Sequence, residues 1–260
     1  MSARVTILGC GSAMPTFQNS PSSQIVELCD KSFLIDCGEG TQLAIRKLGL
    51  HTSRLYTVFI SHLHGDHCFG LIGLISTLAM MGRTQPLHIY AHGDLEKLLR
   101  PLLDYHCEGM SYELVFHHIN PRKQEVIFED RTITVETIPL KHSVPTCGFL
   151  FTERHRNQLP RKRYAYCSDT MFYPKIVQQI YAVDTLYHES TYTEENNFRC
   201  TKTMHSTAKQ AATIAQQANA KQLIIGHFSA REENHKAFLK EAKQVFSNTL
   251  LAKEKTSFDI

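Results

Sequence analysis

The 260-residue sequence has no apolar run long enough to cross a bilayer, so a membrane-embedded chain is set aside. Its opening, Met1-Ser2-Ala3-Arg4-Val5-Thr6-Ile7-Leu8, lacks the apolar stretch and cleavage site of a secretory leader and reads as a first strand. No C-x-x-C pair occurs among the eight cysteines at 10, 29, 37, 68, 107, 147, 167 and 200. A chain of this length needs no disulfides to fold, so they are expected as free thiols, most of them small buried side chains, in a cytoplasmic protein. There is no low-complexity segment and no Gly-, Ser- or Pro-rich linker to divide the chain, which predicts a single domain over residues 1–260. Strong charge is missing too. A net +3 permits an anionic partner without requiring one, and 42% hydrophobic with 20% charged residues is ordinary for a globular protein.

What is present centres on Ser61-His62-Leu63-His64-Gly65-Asp66-His67. The apolar run Tyr56–Ile60 before it reads as a buried strand, so the cluster stands where a strand ends and a loop begins. In extended backbone side chains alternate, so His62 and His64 share a face and can grip one ion. Gly65 is expected to let the chain turn sharply, setting Asp66 and His67 beside a second ion at the mouth of a helix over 68–81. Burying so much polarity without a cation would be costly. Neutral imidazole and carboxylate donors suit zinc in a site with open positions.

The Gly9-Cys10-Gly11-Ser12-Ala13-Met14 segment looks at first like a dinucleotide fingerprint, but Met14 stands where the third glycine belongs, and Pro15 and Pro21 favour a loop. It reads better as a loop that approaches a site closely. Residues 23–28 and 33–35 form a predicted hairpin, and Asp36 follows at its end before a glycine turn and a helix that stops near Gly49. Asp36 suits two roles equally, a partner to a ligating histidine or a turn carboxylate bonding nearby amides.

Further strands are expected near 87–90, 113–117, 125–128, 132–138, 147–152, 163–168, 184–188 and 222–226, and helices near 93–105, 173–182, 206–218 and 233–246. Two halves, each a sheet with helices outside, predict an α/β (α+β) fold arranged as a four-layer αββα sandwich. Ligand-type residues recur at the strand ends: His142, Asp169, His188-Glu189 and His227, with His205 opening an amphipathic helix. Sites collect on that rim in layered sheets.

These motifs together resemble the metallo-β-lactamase superfamily and, more narrowly, ribonuclease Z, the endonuclease that trims the 3′ end of precursor tRNA. The resemblance runs through Leu8–Ala13, Asp36–Gln42, the 61–67 cluster, Lys141-His142, Ser168-Asp169-Thr170, His188–Thr191, His205-Ser206-Thr207 and Gly226–Arg231. It implies that His62, His64 and His142 hold one Zn2+, that Asp66, His67 and His227 hold another, and that Asp169 bridges the two. It further implies that Asp66 accepts a proton from the attacking water or orients it, and that His205, paired with Glu189, protonates the leaving oxygen. For His205 the alternative is a helix-start residue making a local hydrogen bond. The implied partners are precursor tRNA and a second copy of the chain in a homodimer.

Two departures from the family stand out. Ribonuclease Z carries a long arm between the segments of His142 and Asp169, which grips the tRNA elbow; here only residues 143–168 separate them. What remains is a basic stub, Glu153–Arg163, equally suited to phosphate contacts and to being a solvated loop. The loop after Pro15-Thr16 reads Phe17-Gln18-Asn19, without the basic residues the family places there, although Arg46, Lys47 and Arg231 could contribute elsewhere. The main expectation is therefore a zinc-dependent tRNA 3′-processing endoribonuclease. The alternative is an armless phosphodiesterase of small or single-stranded phosphodiesters.

Overall fold

The computed structural model describes residues 3–154, 161–232 and 234–260. Two seven-stranded sheets pack face to face. The first runs in the order Thr256–Asp259, Arg4–Gly9, Ser23–Leu28, Lys31–Ile35, Leu55–Phe59, Leu87–Ala91, Leu114–His118. The second runs Thr249–Leu251, Gln222–Gly226, Thr185–Glu189, Arg163–Cys167, Cys147–Glu153, Ile133–Pro139, Val126–Glu129. Each sheet is antiparallel where it begins in sequence and parallel where crossovers join its later strands, helical ones except between Arg163–Cys167 and Thr185–Glu189. A parallel strand needs a crossover to return the chain to the same edge, which is why helices fall between the later strands of each half.

The period of two in the strands separates the layers. Val5, Ile7, Val26, Phe33, Ile35 and Phe59 point into the core shared with the second sheet, against Val135, Phe149, Phe151 and Tyr164. Their neighbours Leu8, Ile25, Leu34, Val58 and Ile60 point the other way, onto helices Leu71–Met80 and Asp94–His106. Helix Ala208–Gln217 covers the second sheet with an almost all-alanine face, Ala208, Ala211, Ala212 and Ala215, which lets it lie close. A short parallel pairing of Gly11–Ser12 with Phe228–Ser229 joins the two halves at the rim. Cys10, Cys37, Cys68, Cys147, Cys167 and Cys200 are buried, and all eight cysteines are free.

The hairpin forms as Ser23–Leu28 and Lys31–Ile35, turning through Cys29 and Asp30, both at positive φ, the geometry of a two-residue turn that matches strand twist. The helix expected over 68–81 is broken in two, Gly65–Cys68 and Leu71–Met80. The break is at Gly70, whose amide donates to Cys37 O at 2.9 Å. Gly65 turns the chain without positive φ; its contribution is space, because a Cβ there would lie 2.3 Å from the Phe69 ring. Residues 173–182 form a 3-10 turn, Pro174–Ile176, followed by further turns and not a helix. Of the stub, residues 155–160 lie outside the described residues, and the flanking strands pair directly, Thr152 opposite Arg163.

A Cβ at residue 70 would meet the Gly38 carbonyl oxygen at 2.0 Å, backbone that has no room to give. Gly70→Ala should therefore lower the unfolding free energy by about 1–3 kcal/mol, the usual cost of overpacking. Urea denaturation checks this, and an unchanged midpoint would contradict the packing described.

Candidate metal centre

The seven residues implied as ligands come from five places on one rim. His62 and His64 follow strand Leu55–Phe59; Asp66 and His67 stand in the short helix Gly65–Cys68. His142 follows strand Ile133–Pro139, Asp169 follows Arg163–Cys167, and His227 follows Gln222–Gly226. Asp169 and His227 hold positive φ, as does Asp36 at the end of Lys31–Ile35. Non-glycine residues held there cost about 1–3 kcal/mol each and persist where the surroundings over-determine them.

The seven form two donor sets, and His205 makes a further close group with Asp169 and His227. His62, His64, His142 and Asp169 bring one atom each within 4.8 Å of one another, and Asp66, His67 and His227 do the same. In the first set His64 Nδ1 lies 3.1 Å from His62 Nε2 and 3.3 Å from His142 Nε2. Asp169 Oδ2 lies 3.5 Å from His62 Nε2 and 3.6 Å from His142 Nε2. In the second, Asp169 Oδ1 is 3.1 Å from both His67 Nε2 and His227 Nε2, while Asp66 Oδ2 is 3.5 and 3.6 Å from them. A tetrahedral ion with bonds of about 2.0–2.1 Å has donor–donor edges of about 3.4 Å. Both sets have that spacing, and each takes one oxygen of Asp169.

The nitrogens face inward because the opposite side of each ring is engaged. His67 Nδ1 donates to Asp36 Oδ2 at 2.7 Å. Ser61 Oγ donates to the same oxygen at 2.9 Å and so accepts from His62 Nδ1 at 3.0 Å. His142 Nδ1 donates to Met204 O at 3.1 Å. Thr191 Oγ1 donates to Glu189 Oε2 at 2.8 Å and so accepts from His227 Nδ1 at 3.0 Å. These four rings thus carry the proton on Nδ1 and turn a bare Nε2 lone pair to the centre, the tautomer a metal ligand needs, whereas His64 turns Nδ1 inward. His67 Nε2 and His227 Nε2 are buried with no hydrogen-bond partner among the described residues. Buried nitrogens left unpaired are expensive, and a cation is what this donor set fits.

Electrostatics keep three of the rings neutral, while at His67 burial is outweighed by Asp169 and Asp36, which raise the imidazole and make that position one that draws positive charge. Burial pushes the His62, His64 and His142 imidazoles below their ordinary range, keeping them neutral. Burial would raise Asp169 and Asp66, but the surrounding histidines outweigh it and hold both well below the usual carboxylate range. Asp66 Oδ2 also accepts the Ala13 amide at 2.8 Å, so the Gly-rich loop does approach the site.

Asp36 settles as the histidine's partner: fully buried, it takes His67, Ser61 through both hydroxyl and amide, and the Tyr166 hydroxyl at 2.6 Å. Glu189, equally buried, accepts His205 Nδ1 at 2.8 Å and the amides of Thr170, Thr191 and Ser206. Burial opposes charging of His205, but Glu189 outweighs it and lifts the imidazole to about 9. The parts that the sequence reading missed, Ala13, Tyr166, Thr191 and the Met204 carbonyl, serve by backbone groups or hydroxyls that carry no ligand signature. A pocket of about 500 Å³ opens beside His205, Ala13 and Thr191.

The family described as Anti-Pycsar protein Apyc1 matches residues 3–252. Ribonuclease Z of Phocaeicola vulgatus is 47% identical, covering 98% of this chain and 97% of its own. That alignment spans 300 positions, so the relative carries residues with no counterpart here. Ribonuclease Z of Bacteroides fragilis is also 47% identical, covering 95% of this chain. Among solved structures, human tRNase Z, short form, superposes with a TM-score of 0.84 at 26% identity, over 98% of both chains.

Removing the carboxylate that fixes a ligand's ring costs about 10–100-fold in metal affinity where the ring ligates. Asp36→Ala should lose that much, by competition with a fluorescent chelator. Affinity equal to wild type would mean that His67 does not depend on Asp36.

Proposed function

Because the chain belongs to the ribonuclease Z family, and equally to the family described as Anti-Pycsar protein Apyc1, we propose that it is a metal-dependent endoribonuclease that removes the 3′ trailer of precursor tRNA. The observation that carries this reading is the shared Asp169 carboxylate between two inward-facing imidazole sets, next to a buried Glu189–His205 pair. His62, His64 and His142 would hold one Zn2+ and Asp66, His67 and His227 a second, with Asp169 common to both. When bound, such a pair supplies a water acidified to near neutrality and neutralises charge at the phosphodiester.

The chain's own residues do the rest. Asp66, kept ionised and tethered by the Ala13 amide, is placed to orient the attacking water, its weak basicity making alignment the larger part of its role. His205 uses Nδ1 on Glu189, which leaves Nε2 to donate its proton to the leaving oxygen as the P–O bond breaks. Four further hydrogen bonds anchor Glu189, from the amides of Thr170, Thr191 and Ser206 and the Thr191 hydroxyl, so the acid's ring is oriented by a firmly held group. In this reading the enzyme acts in the cytoplasm as a homodimer; among the described residues no helix is long and apolar enough to cross a membrane.

A second reading keeps the chemistry and changes the substrate to small or single-stranded phosphodiesters. The direct pairing of Cys147–Glu153 with Arg163–Cys167 favours it, because little chain is left between them to reach a tRNA elbow. Precursor tRNA and a chromogenic diester assayed together separate the two: hydrolysis of the diester with precursor tRNA untouched overturns the tRNA assignment.

His205→Ala should lower kcat by about 10²–10⁴-fold, the span of general acid catalysis, with metal content unchanged by elemental analysis. The donor is the protonated imidazole, so wild-type kcat should fall as pH rises through about 9. The variant should lack that alkaline limb; a variant that keeps it places the acid elsewhere.

A further inference from the structure

The pocket beside His205 has a composition that the hydrolytic step does not use. It is framed by helix Asn197–Thr203 on one side and by the segment after Phe228–Ser229 on the other. Three cations line it, Arg199, Lys202 and Arg231, and no carboxylate does. Among the described residues none of the three forms an ion pair with an acidic side chain, although the chain as a whole is nearly balanced in charge. Phe198, also lining it, is 72% exposed. The Arg199 guanidinium sits 5.2 Å from that ring's centroid. Tyr192 forms the inner wall, its ring 6.4 Å from His205.

An exposed aromatic ring among unpaired cations is how proteins take single-stranded nucleic acid: bases stack on the ring and phosphates track the charge. The position relative to His205 fixes which part of the substrate lies there. His205 delivers its proton to the leaving oxygen, so a pocket opening on its side receives the nucleotide that carries that oxygen. We propose that this pocket binds the leaving-side nucleotide of an RNA strand, its base against Phe198 and its neighbouring backbone phosphate among Arg199, Lys202 and Arg231. This rests on the phosphodiesterase reading above and deepens it by naming what selects a nucleotide over a generic diester. Phe198 is then a specificity residue that touches substrate away from the reacting atoms, and the three cations add affinity without reading sequence.

Two measurements on the full chain test this. The first is anisotropy of a fluorescein-labelled oligoribonucleotide with chelator present, so that binding is read without cleavage. Phe198→Ala should weaken binding by about tenfold, within the range measured for base–aromatic stacking. Phe198→Tyr, which keeps a ring, should stay within about twofold of wild type. Tyr105→Ala, which removes an 82%-exposed ring on another helix, serves as the control and should leave affinity unchanged. The double variant Arg199→Gln/Lys202→Gln should flatten the salt dependence of binding. The second measurement is kcat/KM for a dinucleoside monophosphate divided by that for a chromogenic aryl diester, in the metal-loaded enzyme. Phe198→Ala should lower this ratio, chiefly through KM for the dinucleotide. Oligonucleotide affinity equal to wild type in Phe198→Ala, or an unchanged ratio, overturns the proposal. Failure of the wild type to cut precursor tRNA would instead sink the tRNA assignment and leave both pocket measurements readable.

Discussion

One buried carboxylate is shared by both donor sets. Asp169 turns Oδ2 to His62 and His142 and Oδ1 to His67 and His227, and those four imidazoles come from both halves of the chain. Without neighbours of opposite polarity a fully enclosed carboxylate would stay protonated; here the histidines hold it ionised. Ser168 donates to Oδ1 at 2.9 Å, and the left-handed backbone at residue 169 lets the side chain leave the strand end toward the centre. The strain is carried by two sheets that pack around it.

Two further buried carboxylates support the centre, one from each half. Asp36 gathers His67, Ser61 and Tyr166 at the end of a strand in the first sheet; Glu189 gathers His205, Thr191 and three amides at the end of a strand in the second. Neither belongs to the donor sets, yet each decides which nitrogen of a donor ring keeps its proton. Glu189 does this for His227 through Thr191 while also holding His205, so His205 and the second donor set share one anchor. Perturbing Glu189 therefore disturbs both neighbours at once, whereas Phe198 makes no hydrogen bond within that network.

The small net charge says little about the partner, because the informative charge is local. Three cations beside His205, with no acid among the pocket's lining, give an anion-attracting site on a chain that is almost neutral overall. In the proposed reading, that arrangement suits a polyanion whose reacting bond lies near His205, and the short connection between Cys147–Glu153 and Arg163–Cys167 would leave more of the recognition to this rim.

By itself the sequence determined the αββα layering, because apolar strand-length runs alternate with helical segments in both halves. It also offered imidazoles and carboxylates at strand ends as candidate donors, while their grouping into two sets was what the resemblance to ribonuclease Z implied. It misjudged two local details, the unbroken helix over 68–81 and a helix over 173–182. The first break depends on the Gly38 backbone pressing on Gly70, a contact between segments that local periodicity does not encode. Only the tertiary structure decided between the two roles open to Asp36, since the choice depends on where His67 lies after folding. The same holds for Ala13, Thr191, Tyr166 and Met204, whose parts are played by amides, hydroxyls and carbonyls common to many residues. A donor type is written in the chain; its direction and its partner exist only once distant segments share a rim.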